Sequence, residues 1–210
     1  TSKLKVVVSD GREGKEAIGY MKAYVNMDVA TLNVGSQPLA NNAHVKYPDA
    51  FGMVSLNDLK TYSVDYAIAN EVNAKNVDFK FYCFGASGSP RLYSMDNTGK
   101  DGEFSGSTGK LSAIKVKNLT RFAILSNFDY ENATVASISS EILSSSIAQS
   151  LLDPIAVGNV IAFRTGGSSA AGGGRIGVMK VINITEPKEQ VSNNATARVM
   201  TVEIKFPKKK

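Results

Sequence analysis

The C-terminal part of the chain constrains its fold most strongly. Residues 160–165 and 176–184 are rich in β-branched and apolar side chains, as the strands of a sheet are. Residues 166–174, which lie between them, are all glycine, serine or alanine, with no hydrophobic period and little side chain to pack. The pattern therefore predicts two strands joined by a flexible glycine-rich loop.

A third strand is predicted over residues 197–206, because side chains in a strand alternate between two faces. One face is mostly apolar and is formed by Arg198, Met200, Val202, Ile204 and Phe206. The other face is expected to be in contact with water and is formed by Val199, Thr201, Glu203 and Lys205. Such a meander predicts a mainly β protein, and we expect an antiparallel β-sandwich-like domain with two short α-helices.

Length and composition limit the remaining possibilities. A chain of 210 residues is long enough to bury a sizeable core, and we predict a single β-rich domain over residues 1–210. Residues 35–50 are irregular and rich in proline and asparagine, so any subdivision is expected there. Cys83 is the single cysteine and therefore has no partner for an internal disulfide. No apolar run approaches the roughly 18 residues of a membrane-spanning helix.

The positive charge of the chain does not indicate nucleic-acid binding. Three of the charges that make up the net +5 lie in the terminal lysines, residues 208–210. Elsewhere lysine and arginine are interspersed with acidic residues, as in residues 10–16, whereas phosphate binding requires a concentrated basic stripe. We therefore predict that the protein has no nucleic-acid partner.

Two helices are predicted from the spacing of apolar residues. The first covers residues 64–72 after the capping residue Ser63, with Val64, Ala67, Ile68 and Val72 on its apolar face. The second covers residues 139–152, with Ser139 as its cap and Ile142, Leu143, Ile147 and Leu151 facing inward.

Further strands are predicted where β-branched and aromatic residues alternate with polar ones. In residues 77–84 the alternation places Val77, Phe79, Phe81 and Cys83 on one side, so that Cys83 is expected in the core. Other strands are expected over residues 3–9, the second half of 17–32, 51–56, 91–94, 114–116 and 121–125.

Four sequence features resemble catalytic or binding motifs without meeting their requirements. Residues 172–177 match the letters of a dinucleotide fingerprint, but a strand-like segment follows where the motif requires a helix. Residues 106–110 lack the magnesium-binding hydroxyl of a phosphate loop. Residues 96–103 place a lysine at a calcium-ligand position. His44, the only histidine, lies in a polar loop. We predict no catalytic residue, no metal and no cofactor.

Carbohydrate binding remains open, because β-domains often bind sugars on exposed aromatic side chains. Strand tyrosines more often pack in the interior, so both interpretations apply to Tyr82, Tyr93 and Tyr130. Residues 85–110 form the longest polar stretch and are expected to be an exposed loop system. The candidate ligand-binding residues are Tyr82, Tyr93, Asp96 and Asp101.

Several segments carry a resemblance to a known group of proteins. They are residues 55–62, the predicted helix through Ala67 and Asn70, and residues 77–82, 92–94, 157–165 and 174–181. Their pattern resembles exported Bacteroidetes proteins, namely surface or periplasmic lipoproteins that mostly lack an assigned activity. The resemblance implies an exported β-rich module and transfers no catalytic residue.

Together these observations lead to a functional expectation with two alternatives. We expect a non-catalytic cell-envelope module for adhesion or glycan-associated binding, located at the outer-membrane surface or in the periplasm. Its partners would be a glycan or another surface protein, and it would reach the membrane only through a lipid anchor that is absent from this chain. The alternatives are a polysaccharide hydrolase that uses a carboxylate pair, for example from residues 96–103, and a structural subunit of a surface assembly.

Overall fold

The computed structural model describes residues 2–9, 16–24, 26–42, 46–185 and 196–209, with the backbone alone described for residues 2–4, 9, 16 and 21–23. His44 lies outside the described residues. None of the described helices is long and apolar enough to cross a membrane.

Twelve strands and three short α-helices make up the regular structure of the described residues. The strands are β1 Ser2–Ser9, β2 Glu16–Ala23, β3 Met27–Gly35, β4 Met53–Ser55, β5 Lys60–Tyr62, β6 Phe79–Phe84, β7 Ser89–Ser94, β8 Arg121–Leu125, β9 Leu151–Leu152, β10 Val160–Arg164, β11 Ile176–Ile184 and β12 Val199–Pro207. The helices are α1 Val64–Ala69, α2 Glu71–Lys75 and α3 Val135–Ser140. Single 3-10 turns cover Gln37–Leu39, Asp101–Glu103, Leu111–Ala113 and Ser144–Ser146.

The strands form two antiparallel five-stranded sheets and a separate hairpin of β1 and β2. The first sheet has the order β3-β12-β11-β10-β8, and the second has the order β5-β4-β6-β7-β9. Side chains from both sheets form one core, in which the rings of Phe79 and Phe122 meet edge to face at 5.8 Å. The predicted mainly β, sandwich-like architecture is confirmed, whereas the prediction of one domain over residues 1–210 stays a prediction.

Each sheet is also covered on its outer face. Residues from α1, α2 and the loop that contains Phe104 and Leu111 pack against the second sheet. Apolar residues of the segment 128–147 pack against the first sheet; they include Tyr130 and, in α3, Ile138. Because large apolar side chains contribute about 1.5–3 kcal/mol each when fully buried, these outer layers stabilise the sheets on the face away from the shared core.

The C-terminal strands lie where the sequence predicts them. β10 and β11 pair antiparallel, and residues 166–174 connect them as a loop. The prediction of a water-facing side of β12 is wrong at two positions: Val199 is 1% exposed, and Lys205 is fully buried. Its ammonium donates to the Tyr130 carbonyl at 2.6 Å and lies 4.2 Å from the centre of the Tyr130 ring. The outer layer, which is distant in sequence, covers a face that the local pattern marks as polar.

The predicted helix over residues 139–152 is also wrong. α3 begins after Thr134, whose side chain and that of Ser137 form a reciprocal capping box, and it ends at Ser140. The following serines favour local hydrogen bonds over a continuing helix; Ser146, for example, donates to the Leu143 carbonyl. Leu151 and Leu152 then pair with β7 as strand β9.

The predicted helix over residues 64–72 begins as expected but is broken into two. Ser63 caps α1 by accepting a hydrogen bond from the Tyr66 amide at 3.2 Å. Asn70 is extended and caps α2 through the Asn73 amide, so the helical register changes there. Val72, predicted on the apolar face, is therefore 76% exposed. The short strand predicted over residues 114–116 is not formed.

Candidate functional site

A groove of about 450 Å³ opens along the side of the sandwich where the edge strands β3 and β5 lie near each other. It is lined by Thr31, Leu32, Asn33, Asp49, Phe51, Lys60 and Thr61. The groove therefore combines one edge strand from each sheet with the segment that enters β4.

The backbone of β3 presents hydrogen-bonding groups to this groove. Ser36 pairs with Arg198 through its amide, and successive residues of an antiparallel strand direct their N–H and C=O groups to opposite sides. Even-numbered residues of β3 therefore bond to β12, and odd-numbered residues point to the free edge. The Gly35 amide at that edge donates to the Phe51 carbonyl at 3.0 Å. The backbone groups of Thr31 and Asn33 are left facing the groove.

Close backbone contacts hold Phe51 in its place. A Cβ atom on Gly35 would lie 2.3 Å from the Ala50 carbonyl oxygen, so only glycine permits this approach of β3 to residue 50. The Phe51 amide donates to the Thr61 hydroxyl at 3.4 Å, and that hydroxyl donates to the Asp49 carbonyl. These bonds join residues 49–51 to β5 and leave the ring of Phe51 half-buried at the groove.

The side chains around Phe51 supply both donors and acceptors. The Asn33 amide oxygen accepts from the Thr201 hydroxyl at 2.8 Å, which orients the amide nitrogen as a remaining donor. Asp49 contributes an exposed carboxylate, and Lys60 contributes an exposed ammonium. Chemically, the groove can exchange hydrogen bonds with a ligand rich in hydroxyl groups, and the ring of Phe51 offers it an apolar surface.

The tyrosines predicted as ligand-binding residues lie beneath the outer layer of the second sheet. Tyr82 and Tyr93 are 6% and 4% exposed, and their rings meet edge to face at 5.7 Å. Phe104 of the covering loop lies 6.0 Å from the Tyr82 ring. Both rings therefore contribute to packing in this structure, and their role in binding stays a prediction.

The two predicted carboxylates are engaged in ion pairs. Asp101 is buried and bonds to the ammonium groups of Lys80 at 2.7 Å and Lys117 at 2.8 Å. Asp96 accepts two bonds of 2.8 Å from the guanidinium of Arg121. Burial alone would raise the pKa of Asp96, but the bonds from Arg121 outweigh it and lower that pKa. The structure thus places Tyr93 and Asp101 near Lys80, and the role of the four predicted residues in ligand binding stays a prediction.

The phosphate-loop-like segment already holds an anion, which is a carboxylate of the same chain. Asp65 accepts bonds from the amides of Ser107 at 3.0 Å and Thr108 at 3.1 Å, from both of their hydroxyls, and from the Asn41 amide. These bonds, with the Ser107 side chain first, hold the pKa of Asp65 well below its ordinary value. A Cβ on Gly106 would lie 2.2 Å from the Asp65 carboxylate, so a side chain at residue 106 would displace that carboxylate from its present position. Within the outer layer, these bonds join α1 to the loop that contains Phe104 and Leu111.

The other sequence motifs have structural roles. Residues 172–174 lead into β11 and not into a helix, in agreement with the hairpin interpretation. Cys83 is fully buried in the core, and its burial raises the pKa of its thiol to about 12. Among the described residues, no group of three or more histidine, cysteine, aspartate or glutamate side chains is arranged to hold a metal ion.

The groove was missed in the sequence because its residues come from three separate segments. Residues 31–33, 49–51 and 60–61 share no motif, and they meet only because β3 and β5 are the edges of two different sheets. A weak signal does exist in Gly35 and Gly52, which flank the segment that enters β4. The sequence does not show why glycine is needed at these two positions; only the structure shows the close contacts of Gly35 with Ala50 and of Gly52 with Ala40.

The comparisons with known proteins provide a fold and no activity. No protein-family model and no curated protein matches this chain. The fold is similar to the crystal structure of a DUF4466 family protein from Parabacteroides merdae, with a TM-score of 0.51 and 16% sequence identity. The match covers 92% of this chain and 58% of that chain, so this chain spans little more than half the length of its structural relative. At this identity the likeness shows the fold alone, which this chain shares with an uncharacterised protein family from the Bacteroidetes.

Proposed function

We propose that this protein is a non-catalytic binding module of the bacterial cell envelope, and that the groove between β3 and β5 binds a glycan. The observation that carries the proposal is the composition of the groove. Backbone groups of Thr31 and Asn33, the side chains of Asp49 and Lys60, and the half-buried ring of Phe51 line a groove of about 450 Å³.

Sugars match such a surface for two physical reasons. Their hydroxyl groups both donate and accept hydrogen bonds, which suits a mixture of amide, carboxylate, ammonium and free backbone groups. The C–H faces of a sugar ring are apolar and pack favourably on an aromatic side chain, as Phe51 would allow. The free edge of β3 is linear, so it can follow consecutive units of an extended chain.

The location in the cell envelope is supported by a different argument. Segments such as residues 157–165 resemble exported Bacteroidetes proteins, and the structural relative comes from the Bacteroidetes. Adhesion or attachment to surface polysaccharide would be the corresponding role. Fractionation of source cells, followed by detection of the native protein with an antibody, tests this part. Recovery in the cytoplasmic fraction alone would contradict it.

The proposed binding of a glycan in the groove predicts a loss of affinity when groove side chains are removed. For a glycan found on an array, the variant Asn33→Ala/Lys60→Ala should bind about tenfold or more weakly, because two polar contacts are removed. Isothermal titration calorimetry measures the change. Lys115→Ala removes an exposed lysine outside the groove and serves as the control with unchanged affinity. Arrays that stay negative across diverse glycans, or equal losses in both variants, would remove the proposal.

A second candidate role is that of a structural subunit, which is favoured by the same open edge. A strand of a neighbouring subunit could add to β3, because Thr31 and Asn33 direct backbone groups outward. Thr31→Pro removes only an outward N–H, so the bonds between β3 and β12 should remain. We expect wild-type protein to form concentration-dependent assemblies in sedimentation velocity, and this variant to stay monomeric with nearly unchanged thermal unfolding. A wild type that is monomeric at every concentration would exclude this role.

A further inference from the structure

A second opening, which we call the basic notch, lies where the last residues of the glycine-rich loop meet the start of β11 and the end of β12. It has a volume of about 510 Å³ and is lined by Ser139, Gly172, Gly173, Gly174, Arg175, Ile176, Pro207, Lys208 and Lys209. It shares no residue with the groove between β3 and β5. No carboxylate is among its described lining residues.

Arg175 supplies a fixed positive charge at this notch. Its guanidinium donates to the carbonyls of Ala171 and Pro207 and lies 4.0 Å from the centre of the Phe206 ring. A guanidinium carries five N–H donors, so these two bonds orient the group without using its full capacity. The loop and the end of β12 therefore hold a cation in a defined direction.

Two exposed lysines, Lys208 and Lys209, add positive charge to the notch. Lys208 lies 3.6 Å from the Asp28 carboxylate, but both side chains are about half exposed, so water competes strongly with this pair. Lys209 lies beside the loop, with its ammonium 3.9 Å from the position that a Cβ on Gly172 would occupy. Asp28 pairs with Lys208 and also acts electrostatically on Arg175.

The glycine-rich loop contributes backbone as well as space. Gly172 and Gly174 have φ angles of +92° and +74°, which side-chain-bearing residues rarely adopt. Their amides donate to the carbonyls of Ser169 and Thr165, respectively, both at 2.9 Å. No described group accepts from the amide of Gly173 between them, and that residue is exposed. The Gly173 amide is therefore left as a backbone donor in a lining that also contains Arg175, Lys208 and Lys209.

We infer that the basic notch is a binding site for an oxyanion, that is, a sulfate, phosphate or carboxylate group. Such a group accepts charge-assisted hydrogen bonds from guanidinium, ammonium and backbone N–H donors, which are the groups present here. The inference does not depend on the proposed glycan groove. If both sites are used by one ligand, that ligand is an acidic polysaccharide.

The test uses inorganic sulfate and a sulfated heparin disaccharide as separate probes of the intact protein. Binding is followed by amide chemical shifts, and we expect saturable changes at residues 172–175 with both probes. Lys208→Ala/Lys209→Ala should weaken binding of each probe about tenfold or more, because two charged contacts are lost. Raising the salt concentration should weaken it further.

The matched control is Lys110→Ala/Lys115→Ala, which removes the same charge from two exposed positions outside the notch. It should leave both affinities within about twofold, within the small range expected for exposed charges. Equal weakening by the two double variants would show that net charge alone attracts the anions and would overturn the inference. Linear, non-saturating shifts with both probes would also overturn it. Saturation by the disaccharide alone would mean that its sugar ring is recognised, which contradicts a site built for the oxyanion itself.

Discussion

Replacement of Asp101 by alanine should destabilise this protein by about 3–5 kcal/mol, which is the usual cost of leaving a buried charge without its partner. The Lys80 side chain is fully buried, and its ammonium lies 2.7 Å from the Asp101 carboxylate. The carbonyls of Asn97 at 2.9 Å and Ser94 at 3.5 Å would remain as acceptors. Burial lowers the pKa of Lys80 and Asp101 opposes this, so removal of the carboxylate further penalises the charged lysine.

This ion pair also connects β6 to the covering loop that holds Asp101 and Phe104. The double variant Lys80→Met/Asp101→Ala should recover a large part of the lost stability, because no unpaired charge stays buried. Asp96→Ala is the comparison: its pair with Arg121 has side chains 24% and 22% exposed, and we expect a smaller loss. Urea unfolding measures the free energy of unfolding of the three variants. A loss for Asp101→Ala no larger than for Asp96→Ala would contradict the buried-charge explanation.

The second large effect concerns Asp78, which lies between β6 and the glycine-rich loop. Asp78 is fully buried and accepts a bond from the Leu56 amide at 2.8 Å. Asn118 lies 3.3 Å from its other oxygen and also accepts from the Ser168 hydroxyl at 2.7 Å. Burial raises the pKa of Asp78 to about 6, and hydrogen bonds, that of Ser169 first, only partly oppose this.

The sign of the pH dependence follows from this raised pKa. Between the ordinary value of 3.8 and about 6, the folded protein holds a proton on Asp78 that the unfolded chain has released. The stabilisation from Asp78 is therefore fully present below pH 3.8 and is lost as the pH rises through about 6. Over that range it amounts to roughly 2–3 kcal/mol, at about 1.4 kcal/mol per pKa unit.

Comparison of wild type with Asp78→Asn isolates this effect. The other carboxylates, such as Asp65 and Asp96 with their lowered pKa values, act in the opposite direction but are present in both proteins. The difference in unfolding free energy between the two proteins should therefore change by roughly 2–3 kcal/mol between pH 4 and pH 7, with wild type relatively more stable at the lower pH. A difference that stays constant with pH would contradict the burial of an ionisable Asp78.

The strands could be predicted because their signal is local. β-branched residues and the glycine-rich break between them identify β10 and β11, and alternation places Phe79, Phe81 and Cys83 in the core. Burial on the outer faces could not be predicted in this way. Lys80 and Lys205 stand at positions that alternate with core residues, and both are buried because segments distant in sequence cover them.

The candidate site could not be predicted from the sequence for a related reason. Tyr82 and Tyr93 have the residue type of a sugar platform, but the loop that carries Phe104 covers them. The proposed groove is lined instead by Asn33, Phe51 and Lys60, which are individually ordinary residues. Their proximity results from the order of strands in two sheets, and no single-sequence pattern encodes that order.

Mapping of a bound glycan by amide chemical shifts tests the central proposal most directly. With a glycan that binds the protein, saturable shifts should concentrate on residues 31–33, 49–51 and 60–61, along the open edges of β3 and β5. Shifts that concentrate elsewhere, with those three segments unchanged at saturation, would contradict the assignment of the groove as the binding site.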